Sequence, residues 1–157
     1  MGFEIGHDHW TGWPWWPPWL GPKLGLLVRV RDRHHHVVAR RLFYLIANQE
    51  IRIMLNVTVG HDVLCSIVYL DQNGNPMQTT PTPDSPPVWA DGGNTAIDTL
   101  TASQDGTTAD VKAIGAGQDT VTLKVLVGGK EFDASLSLNI QAAPQVLTSV
   151  QIATQVQ

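Results

Sequence analysis

Apolar and polar residues alternate with a period of two through most of the second half of this 157-residue chain. The stretch TVTLKVLVGGKEFDASLSLNI (120–140) holds two such runs. In the first, Val121, Leu123, Val125 and Val127 share a face; in the second, Phe132, Ala134, Leu136, Leu138 and Ile140 do. Successive side chains of a strand point to opposite sides, so each run predicts one buried and one wetted face. Gly128-Gly129 between them supplies the positive φ angles of a two-residue hairpin turn.

The same grammar recurs upstream. MLNVTVG (54–60), VLCSIVYLDQNGNP (63–76), PPVWAD (86–91), AIDTLTAS (96–103) and TADVKAIG (108–115) each read as a short strand bounded by Gly, Pro, Asn or Asp. About seven strands in some ninety residues predict an all-β fold, an antiparallel Ig-like β-sandwich. Residues 142–157 read as a C-terminal tail that is flexible or paired with a partner.

Three stretches of this region resemble the bacterial immunoglobulin-like group 2 family. They are the strand-to-turn SIVYLDQNGNP, the tryptophan of VWAD, and VKAIGAGQDTVTLKV, in which a glycine-bearing turn precedes an alternating strand. The resemblance covers about residues 54–141; ADGGNTAID departs from the family's Ser/Asp-rich segment after the tryptophan. It implies a structural or adhesive module of the kind found in bacterial surface proteins and tailed-phage virions, without shared catalytic residues. The small form with a short VLTSV tail is most similar to phage-encoded members. The expected setting is a phage or prophage virion, as capsid or tail decoration with other virion proteins as partners and weak contacts to host-surface glycans. The alternative is an adhesion module of the bacterial cell surface or periplasm.

Charge divides the chain near Met54. Residues 1–53 carry seven Lys/Arg against four acids, and residues 54–157 carry three against ten. The acidic part argues against nucleic-acid binding, which needs clustered basic residues. The basic part includes HDHWTGWPWWPPWLGP (7–22), with five of the six tryptophans. A sugar- or membrane-interface patch, a proline-rich ligand and an incidental segment all fit it. Only a loose pattern follows, LGLLVRV and then VVARRLFYLIA, the latter suiting a short helix with Arg40 and Arg41 off its apolar face. Residues 1–53 are therefore expected to be an irregular extension, either an over-extended reading frame or an unfolded leader with Met54 as initiator, or else a functional arm. No stretch has the layout of a signal peptide or approaches ~18 apolar residues.

Candidate chemistry is sparse. His7, His9 and His34–His36 offer imidazoles to a metal, but adjacent histidines rarely converge on one ion. Asp71, Asn73 and Asp105 offer oxygens to calcium without a recognisable loop spacing. Asp84, Asp91, Asp98, Asp110, Asp119 and Asp133 are read, with them, as turn or solvent-face residues. The lone Cys65 sits in an apolar run as a small buried hydrophobe, and Trp89 as core on a central strand. No enzyme, cofactor, catalytic residue or metal ligand is expected.

Overall fold

The computed structural model describes residues 23–71 and 73–145. Among the described residues, nine strands run in chain order: β1 (Lys23–Arg31), β2 (Val37–Leu45), β3 (Glu50–Thr58), β4 (Asp62–Leu70), β5 (Val88–Ala90), β6 (Asp98–Ala102), β7 (Thr108–Ala113), β8 (Gly117–Val127) and β9 (Lys130–Gln141). They form one sheet in the order β2-β1-β4-β7-β6 and another in the order β3-β9-β8-β5. All pairings are antiparallel except β3 with β9, which is parallel from Glu50↔Asp133 to Thr58↔Gln141. The β4-β7-β6 and β9-β8-β5 triplets are the central order of an Ig-like sandwich, with β1 beside β4 where such a fold places its first strand.

The core lies between the sheets and follows the period-two pattern. Leu24, Leu26, Val28 and Val30 of β1 stand opposite Tyr69, Ile67, Cys65 and Val63 of β4, all buried. The second sheet answers with Ile51, Ile53, Leu55 and Val57 of β3, then the inward stripes of β8 and β9. The β8–β9 hairpin turns at Gly128 and Gly129, whose φ angles are 57° and 72°. Both turn N–H groups donate to the Asp84 carboxylate, at 3.2 and 2.7 Å. That cap comes from 44 residues upstream and has no local sequence signature.

Residues 23–53 overturn the expectation of an irregular extension. β1 is an inner strand of its sheet, and β2 pairs with it over eight positions. The proposed helix over VVARRLFYLIA is this second strand; its β-branched and aromatic residues suit a pleated surface once β1 offers a partner. Nor does patterned structure begin at Met54. β3 starts at Glu50, buries Ile51 and Ile53, and leaves Met54 facing outward at 78% exposure. The ordered unit thus starts at least thirty-one residues before that methionine. Residues 1–22, with His7, His9 and the tryptophan cluster, and residues 146–157 of the tail lie outside the described residues.

Candidate functional site

The five-stranded sheet is wider than the four-stranded one by its outermost strand. The register with β1 places Ala39, Arg41, Phe43 and Leu45 of β2 on the inward side, opposite Val30, Val28, Leu26 and Leu24, yet only Phe43 and Leu45 are buried; an irregularity at Val38 then shifts the register, so that Val37 stands opposite Arg31. Nothing in the facing sheet covers the first half of β2, because β3 is already that sheet's edge. The overhang forms a cleft of about 180 Å³ lined by Val28 and Val30, Ala39, Arg40 and Arg41, and Met54, Leu55 and Asn56. Val37 and Val38 precede Ala39 on the same strand and are 53% and 55% exposed. Arg29, Arg40 and Arg41 give this flank a basic character, and Arg29 donates to Ser66 Oγ at 3.2 Å. Arg31 is neutralised, lying 3.0 Å from Asp110 and 3.7 Å from Asp62.

The three adjacent histidines form the β1–β2 turn. Asp32 Oδ1 accepts the His34 and His36 N–H groups at 2.8 and 3.0 Å, and His35 adopts φ 63°. The His36 N–H is the chief cause holding the Asp32 carboxyl below its ordinary range. His35 Nδ1 approaches Asp62 while His36 Nδ1 approaches Asp32, so the two imidazoles serve different carboxylates. Among the described residues, no three His, Cys, Asp or Glu side chains gather closely enough to hold a metal by themselves.

Asp71, Asn73 and Asp105 fill local turns. Asp71 Oδ1 accepts from the N–H groups of Asn73 and Asn75 at 2.8 and 2.9 Å. Asp105 Oδ1 accepts from Ser103 Oγ, Thr107 Oγ1 and Thr107 N at 2.6, 2.8 and 3.1 Å. These bonds, that from Ser103 above all, draw the Asp105 carboxyl down to about 2. Cys65 is fully buried, and burial with the nearby Asp110 charge pushes its thiol up to about 12. A thiol so placed is a core hydrophobe, not a nucleophile.

Trp89 departs in part from its expected place. It packs against the core but lies on β5, the edge of its sheet, and is only partly buried. Its indole N–H donates to Gly106 O at 2.9 Å, tying β5 to the β6–β7 turn of the other sheet. The ring therefore closes the sandwich flank opposite the cleft.

Two acids contradict the reading of turn and solvent-face carboxylates. Asp98 of β6 is 1% exposed and pairs in register with the buried Ala113, which puts it on the inward face. Asp119 of β8 lies two residues before the buried Val121, on the inward stripe of the facing sheet. Burial, followed by the charges of Asp119 and Asp91, raises the Asp98 carboxyl to about 6. The signal was present in GQDTVTLKV: stepping the Val121–Val127 alternation back by two reaches Asp119.

Neither a protein-family model nor a characterised protein sequence matches the chain. Among solved structures, it is similar to domains 4 and 5 of the S-layer protein SbsC (TM-score 0.39, 17% identity), over 66% of this chain and 59% of that one. It is also similar to a chimeric titin Z1Z2 (TM-score 0.36, 15% identity; 63% and 95% covered). A complex of titin M10 with obscurin-like 1 Ig matches at a TM-score of 0.33 and 14% identity, over 64% and 96% of the two chains. The Ig-like assignment rests on the strand order and register themselves.

Proposed function

We propose that this chain is a non-enzymatic, Ig-like structural or adhesive module that docks on partner proteins through its β2–β3 flank. The overhang of β2 carries the reading. Among the described residues, it leaves a strand edge that reaches past the facing sheet, with exposed Val37, Val38 and Met54 and a cleft that Arg40 and Arg41 help to line. Exposed edges of this kind are ready templates for another chain, and apolar patches rimmed by charge suit protein contacts. The sequence resemblance supports a phage or prophage virion as the setting, with the module decorating capsid or tail. Weak contacts to host-surface glycans would there add up through copy number.

The test is fractionation of particles from the biological source on a density gradient, followed by mass spectrometry. The chain is expected in the particle band, and Val38→Glu is expected to lower its occupancy there. Recovery in the cell-envelope fraction would favour the bacterial-surface alternative. Recovery only as free protein, or full occupancy by Val38→Glu, would refute docking through this flank.

A further inference from the structure

At the opposite flank, β6 opens one sheet's edge strand while β8 begins in the other, and each places an aspartate where its neighbours in register are apolar. Asp98 stands beside Ala113, and Asp119 pairs with the buried Leu138. They come from opposite sheets and face the same interior. Both oxygens of Asp98, and Oδ2 of Asp119, are buried without a donor from the rest of the protein, and the two carboxyls lie within hydrogen-bond reach of each other when one is protonated. The other oxygen of Asp119 accepts the Thr120 N–H at 2.7 Å.

A buried carboxylate without donors is costly, and two that face one another cost more. The charged groups acting on Asp98 are Asp119 and Asp91, both acidic. No described lysine, arginine or histidine balances them there. The loop after β5 closes over the pair. Gly92 lies so near that a Cβ on it would run into the Asp119 carboxylate. Asp91 Oδ1 fixes the loop by accepting the Gly93 N–H at 3.0 Å. Main-chain N–H groups of Ile97 and Asp98 are spent on Asn94 O, so none of these turns toward the carboxylates.

We propose that Asp98 and Asp119 form a divalent-cation site that takes Ca²⁺, with Asp91 at its mouth. Calcium suits the arrangement because it accepts six to eight oxygens in flexible geometry, including main-chain carbonyls and water. Two protein carboxylates then suffice as its charged ligands. A magnesium ion would demand a tighter octahedron and give up its water reluctantly. With so few charged ligands, the affinity belongs to the weak range of extracellular modules, Kd on the order of 10⁻⁴–10⁻³ M. Bound calcium would tie β6 to β8 across the sandwich, as Trp89 ties β5 to the β6–β7 turn.

The experiment uses the full chain, dialysed against a chelator and then against metal-free buffer at pH 7.5. Calcium chloride is titrated by calorimetry, and melting is followed with and without 10 mM Ca²⁺. A saturable heat and a rise in Tm of about 3–10 °C are expected. Asp98→Asn and Asp119→Asn should each abolish both, while Asp71→Asn and Asp105→Asn keep them. Should Asp98→Asn fail to melt cooperatively, Asp119→Asn and wild-type calorimetry decide alone. Absence of heat and Tm shift in the wild type overturns the proposal, and so does a calcium response that survives Asp119→Asn or is lost in Asp71→Asn or Asp105→Asn. A Tm indifferent to calcium but falling from pH 5 to 8 also overturns it, because the two carboxyls would then share a proton.

Discussion

Leu26→Ala tests whether residues before Met54 belong to the fold. Leu26 is fully buried at the middle of β1, between Phe43 of β2 and Ile67 of β4 in register. The substitution removes three carbons, about 2.4 kcal/mol at ~0.8 kcal/mol for each buried methylene. β1 itself is hydrogen-bonded on both sides and collapses little, so a cavity contribution brings the loss to about 3–4 kcal/mol. For a chain of this size, each kcal/mol moves Tm by about 2–4 °C, which predicts a fall of roughly 6–16 °C. Circular-dichroism melts give the Tm, and urea titration gives the free energy. Val38→Ala, on the exposed side of β2, is the control and should stay within about 0.5 kcal/mol. If residues 1–53 were a leader outside the fold, Leu26→Ala would melt like the wild type. That result would refute the placement of β1. A chain begun at Met54 extends the test: it lacks Ile51 and Ile53 as well as β1 and β2, and should not melt cooperatively.

Trp89→Phe keeps most of the packing but loses the bond to Gly106, and should cost about 1 kcal/mol in urea titration; Trp89→Ala should cost about 2–3 kcal/mol, less than a wholly buried tryptophan, and an unchanged Tm would mark the ring as a ligand contact instead. Cys65 should resist a thiol reagent in the native protein and react fully in denaturant, whereas fast native labelling would contradict its burial. For the metal-free protein, the raised Asp98 carboxyl means that the folded state prefers it protonated. Its contribution is complete below the unfolded value near 3.8 and is lost as pH rises through about 6. Asp98→Asn should therefore gain about 1–3 kcal/mol on the wild type between pH 5 and 8 without calcium, and a constant difference across that window would remove the basis for the shift.

The hairpin of β8 and β9 was legible because every cue there is local: strict alternation, a glycine pair, and two runs close enough to meet in register. Within β4 and within β7 the alternation is local too, though their pairing across the intervening β5 and β6 is not, and alternation sufficed for the all-β sandwich. β1 was missed, although Leu24, Leu26, Val28 and Val30 alternate. Its neighbours made that pattern look isolated, because tryptophans, histidines and arginines surround it. What only the tertiary structure decided depends on partners far away in sequence. β2 is a strand because β1 lies beside it, and it is exposed because the facing sheet ends one strand short. Trp89 sits at an edge because β5 pairs with β8 alone. Asp98 and Asp119 each resemble an ordinary surface aspartate when read singly. Period two tells which residues share a face, but not which face turns inward. That choice falls to the packing of the two sheets, and it sets the buried Asp98 against the half-buried Asp119, 21 positions away in sequence.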